Sequence, residues 1–286
     1  MRFRNLLLFI LMVSLWGANW SVMKVGLTFA PPLSFALHRF ATAAVFLFPA
    51  LLLLRRRIPR DSRTIGLLLV YCTIYVLQVL TIQIGLVDES SGISAVLTFT
   101  QPIFVFCLAT LFLQENVTKV KVLGVISGFS GVVILTMPNV SSFTLGSALV
   151  LVLGGFFWAT GIVFFKKFLS HVDPSVAVSS QLSLGTVLLG ILGLITGSLV
   201  LPPQMTYLWI TLISAIGSLV VGTIIWIFLL EREDATTLSG SSFIIPVLAL
   251  IFGWLLLGES TTVDSMAGSG LVLLGIVLVN ARSAGH

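Results

Sequence analysis

The hydrophobic positions of this chain are grouped in long apolar segments that are separated by short polar breaks. A helix needs about 20 residues to cross the hydrocarbon core of a bilayer, whereas strands of a membrane barrel are shorter and alternate polar with apolar residues. The pattern therefore predicts an all-α polytopic membrane protein with ten transmembrane helices. The predicted helices cover residues 5–27, 33–54, 64–87, 91–113, 119–137, 144–168, 175–197, 206–229, 236–257 and 263–281.

The first predicted helix begins like a secretory signal peptide, because Arg2 and Arg4 precede an apolar core. That core runs for about 20 residues, and no small-residue cleavage site follows it. We therefore interpret it as the first membrane span.

The composition excludes a soluble protein. The chain is 57% hydrophobic and 9% charged, with a mean hydropathy of +1.15, whereas soluble domains carry about 25% charged residues. Both cysteines, Cys72 and Cys107, lie inside predicted helices, which argues against a disulfide or a metal site. Metal-ligand spacing, a paired carboxylate and a Cys/His constellation are also missing from the sequence, so we expect neither an enzyme nor a cofactor.

The basic residues indicate the orientation in the membrane. With the N-terminus inside, thirteen of the 15 basic residues fall in cytoplasmic segments and none in the opposite loops. The thirteen are Arg2, Arg4, Arg55, Arg56, Arg57, Arg60, Arg63, Lys119, Lys121, Lys166, Lys167, Arg232 and Arg282. The positive-inside rule then places both termini in the cytoplasm. We expect the protein to lie in the plasma membrane or the bacterial inner membrane. Topology thus explains the net charge of +5 without a nucleic-acid partner.

The two halves of the sequence resemble each other. An offset of 144 residues pairs Pro102 with Pro246 and Glu115 with Glu259, and an offset of 142 pairs Trp16 with Trp158. We interpret residues 1–138 and 144–286 as two repeats of five helices each. Because five is an odd number, the second repeat must insert upside down, and inverted repeats of this kind are typical of secondary transporters.

The sequence resembles the EamA-type branch of the drug/metabolite transporter superfamily. The resemblance rests on WGANWSVMK (16–24), the spacing of Pro32 and Arg39, and LFLQE ending at Glu115, with echoes in WATGIVFFK (158–166) and LLLGE ending at Glu259. It implies export or exchange of small metabolites, often amino acids or their relatives, by alternating access. Its partners would be a small-molecule substrate and membrane lipid, and a homodimer is left open.

Pro102 and Pro246 lie at the centres of the fourth and ninth predicted helices. A proline frees the carbonyl four residues before it, here those of Thr98 and Ser242. Interrupted helices at matching positions of two repeats are the best sequence-level indication of a transporter's binding site. A kink without ligand contact is the alternative.

Arg39 and Lys24 are the two cations that topology leaves unexplained. A cation inside a span is functional by default, so Arg39 could bind a substrate carboxylate or phosphate, or form a packing salt bridge with an acid such as Glu259. Lys24 lies nearer the outer face, where it could snorkel to water or act as a gate. For His38 we expect a lipid-side or interfacial position.

Six further side chains are candidates for the cavity wall, with plain core packing as the alternative. They are Trp16, Asn19, Tyr75, Gln78, Gln101 and Trp158. We assign the serine stripe of the eighth helix, Ser214 and Ser218, to helix packing.

Glu115 and Glu259 each end a predicted helix, and we expect them to cap a helix start. No Asp or Glu falls at the middle of a predicted span, which favours facilitated efflux or exchange over tight proton coupling.

The sequence therefore predicts a transporter of amino acids or related solutes. Carriage of phosphorylated or nucleotide-linked sugars, which needs several convergent basic residues, and lipid flipping are the alternatives.

Overall fold

The computed structural model describes residues 3–53, 59–114, 118–135, 145–230, 244–260 and 262–280. In these ranges the chain is helical and forms no strand. The helices are α1 (Phe3–Gly26), α2 (Pro32–Leu53), α3 (Ser62–Asp88), α4 (Ser91–Thr98), α5 (Gln101–Leu113), α6 (Lys119–Leu135), α7 (Leu145–Phe164), α8 (Pro174–Thr196), α9 (Met205–Leu212), α10 (Thr223–Leu230), α11 (Ile244–Leu257) and α12 (Val263–Asn280). A π-helical segment, Phe165–Leu169, continues α7, and a second one, Ile213–Gly222, joins α9 to α10.

Six helical segments in the described ranges are long and apolar enough to cross a membrane, and shorter apolar helices accompany them. The six are Phe3–Gly26, Ser62–Asp88, Ser91–Leu113, Leu145–Leu169, Pro174–Thr196 and Met205–Trp226. The protein is therefore an all-helical, multi-pass membrane protein.

Short polar and glycine signals define several helix ends. The Asp61 carboxylate accepts a hydrogen bond from the backbone N–H of Thr64 at 2.8 Å and so caps α3. This backbone bond, joined by the Thr64 side chain, lowers the pKa of Asp61 below its ordinary value. At the C-terminal ends of α8 and α11, Gly197 and Gly258 adopt φ of +62° and +65°. This left-handed conformation suits glycine because it has no Cβ.

The helices pack mainly in pairs that are distant in sequence: α6 with α12, α3 with α7, α2 with α8, and α1 with α11. Glycines allow the closest of these approaches. A Cβ on Gly275 would lie 2.6 Å from the carbonyl oxygen of Gly124, and one on Gly131 would lie 2.6 Å from that of Gly268. The α6–α12 pair is therefore held backbone to backbone, as small residues permit in membranes.

The fourth apolar segment is broken in its middle. The chain leaves α4 at Phe99 and Thr100 and re-enters a helix at Gln101, directly before Pro102. Pro102 has no N–H to donate to the carbonyl of Thr98. At the same break, the Thr100 hydroxyl donates to the carbonyl of Leu97 at 2.7 Å.

Candidate functional site

The break between α4 and α5 is packed against α7. The carbonyl of Thr98 faces Gly155, where a Cβ would lie only 2.6 Å from the carbonyl oxygen. Next to the break, Phe99 meets Trp158 edge to face, with 5.4 Å between ring centroids. The Thr98 hydroxyl is buried and has no hydrogen-bond partner among the residues that the structure describes. The structure thus brings Thr98 and Trp158, both predicted from sequence, to the same level of the bundle.

Arg39 lies between helices α1, α2 and α3 with 4% of its surface exposed. Its Nη1 contacts the Met23 sulfur at 3.0 Å, and its guanidinium carbon lies 5.6 Å from the ring centroid of Phe35. The Gln83 amide is hydrogen-bonded through both of its polar atoms in one orientation. In that orientation its nitrogen donates to the Pro32 carbonyl (2.7 Å) and its oxygen accepts from Arg39 Nη1 (3.2 Å).

The Arg39 cation is only partly satisfied by these contacts. Its Nε has no hydrogen-bond partner, and in the described part of the chain no Asp or Glu forms an ion pair with it. The sequence offered Glu259 as a partner, but that carboxylate is bound elsewhere. A buried guanidinium with a free N–H is suited to binding a carboxylate or phosphate.

Tyr75 extends the surroundings of Arg39 on α3. Its ring stacks on Phe40 with centroids 5.4 Å apart, and its hydroxyl is close enough to Arg39 to interact electrostatically. Gln78, one helical turn further along α3, is buried, as is Gln101 at the start of α5. Tyr75 therefore belongs to the surroundings of Arg39, and Gln101 belongs to the α4–α5 break.

Trp16 and Asn19 contact the π-helical segment Ile213–Gly222. Trp16 Nε1 donates to the carbonyl of Ser218 at 3.1 Å, and the Ser214 hydroxyl donates to Asn19 Oδ1 at 2.6 Å. In a π-helix the backbone hydrogen bonds span five residues, whereas in an α-helix they span four. The Trp16 indole N–H donates to one carbonyl of this segment. The Ser214 hydroxyl bonds between helices, as small polar residues that serve helix packing do, and Ser218 contributes its backbone carbonyl.

Trp16 also meets a second tryptophan. Its ring centroid lies 5.8 Å from that of Trp226 in a tilted arrangement, and a Cβ on Gly222 would overlap its indole. Trp16 and Trp158 both border the largest apolar cluster of the described residues.

Lys24 binds a helix end. Its Nζ donates to the carbonyls of Leu86 (2.9 Å) and Val87 (2.7 Å) in the last turn of α3. A cation is favourable at a helix C-terminus. Lys24 is about half-buried and its contact with Val87 is exposed, so snorkelling to water and a role as a gate both stay predictions.

Glu259 caps a helix start, although not that of the helix that follows it. Its Oε1 accepts from the N–H of Ser91 at 2.6 Å, in the first turn of α4. The N-terminus of α12 is capped instead by the Thr262 hydroxyl, which accepts from the N–H of Ser265 at 3.2 Å.

His38 has a side-chain partner. It is half-buried, and its Nδ1 lies 2.6 Å from the hydroxyl of Tyr207, whose ring it meets edge to face. Its lipid-side or interfacial position stays a prediction. The sequence missed Tyr207 because nothing local links residues in α2 and α9.

The second half of the predicted site is only partly described. Pro246 is buried in the first turn of α11, while Ser242 and Glu115 lie outside the described residues. The offset of 142 residues that pairs Trp16 with Trp158 also pairs Arg39 with Gln181. Gln181 is buried on α8 and interacts with the Tyr71 hydroxyl.

The fold defines a multi-pass helical membrane protein, and comparison with known proteins defines its family. A model of the EamA-like transporter family matches residues 4–137 and again residues 145–281. An uncharacterized transporter of Archaeoglobus fulgidus is 34% identical over 275 residues, which cover 94% of this chain and 96% of the relative. The chain belongs to the EamA-like transporter family.

Two further similarities concern function and fold. A probable amino-acid metabolite efflux pump of Salmonella typhimurium is 28% identical over 285 residues, covering 94% of this chain and 92% of the relative. A solved structure described as "Crystal structure of protein" superposes with a TM-score of 0.68 at 15% identity, over 97% of this chain and 96% of that one. At that identity the solved structure indicates a shared fold.

Proposed function

We propose that this protein is a ten-span secondary transporter that exports or exchanges small carboxylated metabolites, in particular amino acids or related solutes, with Arg39 as the anchor for the carboxylate. Its two halves, residues 1–138 and 144–286, are inverted five-helix repeats. Both termini lie in the cytoplasm, as the distribution of basic residues predicts.

The helix neighbours support the inverted repeat. If each helix is replaced by its counterpart in the other half, the α1–α11 pair becomes the pair of α7 with α4 and α5. Both pairs are in contact in the structure. The same replacement turns the packing of α3 on α7 into that of the π segment Ile213–Gly222 on α1, and both occur. The pairs α2–α8 and α6–α12 exchange into themselves. The two matches of the family model, one to each half, support the same organisation.

The observation that carries the substrate class is the unsatisfied guanidinium of Arg39. A buried cation costs at least ~2.5 kcal/mol inside a membrane unless an anion or water compensates it. A substrate carboxylate would provide that compensation during each transport cycle. The name of the Salmonella relative, which mentions amino-acid metabolites, supports the same class.

Carriage of phosphorylated sugars has less support. It needs several basic residues that converge on one cavity, and Lys24, the other cation that topology leaves unexplained, is engaged by the carbonyls of Leu86 and Val87. Trp16, Asn19 and Trp158 lie away from the ends of α1 and α7, which supports our assignment of their aromatic and amide groups to the wall of the substrate path.

The test is uptake and counterflow in proteoliposomes with a pooled panel of metabolites, with and without a proton gradient. We expect flux of carboxylated solutes in the unmodified protein. Arg39→Gln should abolish that flux, because the amide cannot compensate a carboxylate. Arg63→Gln is the matched control, since it makes the same chemical change at an exposed position.

Two outcomes would overturn the proposal. The first is the absence of solute flux together with lipid scrambling, which would indicate a flippase. The second is an Arg39→Gln variant with unchanged KM and kcat for carboxylates, which would remove Arg39 from the substrate path.

A further inference from the structure

Two charged side chains from different parts of the chain hold the connection between α3 and α4. We call residues 86–92, where α3 ends and α4 begins, the α3–α4 corner. Lys24 of α1 binds its first part through the carbonyls of Leu86 and Val87. Glu259, which follows α11, binds its last part, at the start of α4.

The Glu259 carboxylate uses both oxygens at α4. Oε1 accepts from the N–H of Ser91 at 2.6 Å, while Oε2 accepts from the Ser91 hydroxyl at 3.0 Å and from the N–H of Gly92 at 3.3 Å. The Ser91 hydroxyl also lies 3.3 Å from that of Ser21 on α1. The carboxylate thus binds N–H groups that have no partner within a helix, at the positive end of the helix dipole.

The glycines that precede Glu259 allow its carboxylate to reach α4. Gly258 adopts φ of +65°, and the N–H of Glu259 donates to the carbonyl of Gly253 at 3.2 Å, so the chain turns back at the end of α11. The N–H of Gly258 also donates to the carbonyl of Trp254 at 3.2 Å, which is the single bond by which the αL motif ends a helix. Gly253 is also required, because a Cβ there would overlap Glu259 Oε2 and lie 2.8 Å from the Ser91 hydroxyl oxygen.

The two contacts are complementary. The cation binds the negative end of α3 and the anion binds the positive end of α4, so each lies where a helix dipole favours it. Together they join three separate parts of the chain at one end of the bundle. The helix that Glu259 holds, α4, is the one that breaks at Phe99 and Thr100, so α4 has a joint at one end and a carboxylate contact at the other.

We propose that Glu259 is a latch that closes the bundle at the α3–α4 corner and must release α4 for the substrate path to open at that end. The charge distribution makes this the outer face. The proposal rests on the transport function proposed above, because only a transporter needs to open and close this end. The closed latch is the state that the structure shows; the open state has the Glu259 carboxylate solvated and the corner free to move away from α11.

The test measures access to the bundle and needs no substrate. In a variant with Cys72→Ala and Cys107→Ala, Ser94→Cys introduces a reporter one turn into α4, where Ser94 is fully buried. Intact cells are treated with a membrane-impermeant maleimide, and the labelling rate is measured. Glu259→Gln removes the charge and keeps the size, and Asp264→Asn is the matched control, an exposed acid in the first turn of α12.

We expect Glu259→Gln to raise the labelling rate about tenfold, the change that the loss of one charge-assisted hydrogen bond gives in an opening equilibrium. Asp264→Asn should leave the rate unchanged. An unchanged rate in Glu259→Gln, or an equal rise in both variants, would overturn the latch. Faster labelling only in inside-out vesicles would overturn its assignment to the outer face.

A second variant guards against loss of folding in Glu259→Gln. With Ser91→Cys and Glu259→Cys in the reporter protein, a short bifunctional reagent such as a bis-methanethiosulfonate joins the two thiols through reducible disulfides before the maleimide is added. Labelling is then read at position 94 alone by peptide mapping. The cross-link should keep that rate low, and its cleavage by a reductant that is removed before labelling should raise it. A cross-linked protein whose reporter is labelled as fast as the reduced form would refute closure at this corner. Because neither readout depends on flux, a negative transport assay and a failed latch remain distinguishable.

Discussion

Replacing Arg39 by methionine separates the two roles that a buried guanidinium can have in a membrane protein. If Arg39 is a substrate anchor, its charge is a cost to the empty protein. If it is part of a structural ion pair, its removal leaves the partner charge buried. The side chain of methionine is long and apolar and can fill most of the same space.

The contacts of Arg39 set the expected magnitude. Removing the charge recovers about 3 kcal/mol of burial cost inside the membrane. Against this stand the bond to Gln83, worth about 2 kcal/mol as a hydrogen bond to a charged group, and the interaction with the Phe35 ring, worth about 1 kcal/mol. The contributions nearly cancel, so we expect a stability within about 1 kcal/mol of the unmodified protein. Breaking a buried ion pair would instead cost about 3–5 kcal/mol.

The assay is thermal unfolding in detergent, followed by tryptophan fluorescence. A change of 1 kcal/mol shifts Tm by about 2–4 °C in a protein of about 200 residues, so Arg39→Met should melt within about 4 °C of the unmodified protein. Phe40→Ala provides the reference for a damaged core, because Phe40 is fully buried and such a truncation costs about 3–5 kcal/mol. If Arg39→Met melts as low as Phe40→Ala, the guanidinium is structural and our reasoning about the substrate anchor is wrong.

Three further predictions follow from individual contacts. Gly155→Ala should lose about 1–3 kcal/mol of stability through overpacking, because the added methyl would lie 2.6 Å from a backbone oxygen of the α4–α5 break, and Gly146→Ala, which has open space, should lose nothing in the same melting assay. A double-mutant cycle of Asn19→Leu and Ser214→Ala should give a coupling energy of about 0.6–1.7 kcal/mol, as for other polar pairs between membrane helices; additive effects would refute the pair. Asp61 should titrate below the ordinary aspartate pKa of about 3.9, so its contribution to stability is complete above that value and is lost as the pH falls through the lowered folded pKa. Carboxyl NMR should show this, and a midpoint at or above the ordinary value would contradict the N-cap contact.

The sequence was informative wherever the physical cause was local. Apolar length predicted a helix over 64–87, and α3 covers Ser62–Asp88. Pro102 indicated an interruption, and the chain leaves the helix at the two residues that precede Gln101, because a proline disturbs the turn on its N-terminal side. The family also followed from the order and duplication of short motifs.

The contacts of the charged residues could not be predicted in the same way. An acid near a helix end is expected to cap the nearest helix start, yet Glu259 binds Ser91, which is 168 residues away. Lys24 likewise finds carbonyls that are more than 60 residues away. Such pairs depend on how the helices assemble, and no spacing in the sequence reports it.

The π-helical segment Ile213–Gly222 also had no local signal. Its sequence, ISAIGSLVVG, contains no proline. The indole that donates to Ser218 comes from α1, so the altered backbone goes together with a tertiary contact. This is why the sequence could not show that the Ser214 hydroxyl and the Ser218 carbonyl contact α1.

The close pairing of α6 with α12 has a consequence for how the protein is made. The ribosome completes α6 at Leu135, well before it begins α12 at Val263. Until α12 has been synthesised, the backbone of α6 around Gly128 and Gly131 lacks this helix as its packing partner. This pair therefore assembles late, and we expect chains that are truncated before residue 263 to be removed by membrane quality control even though earlier spans have been inserted.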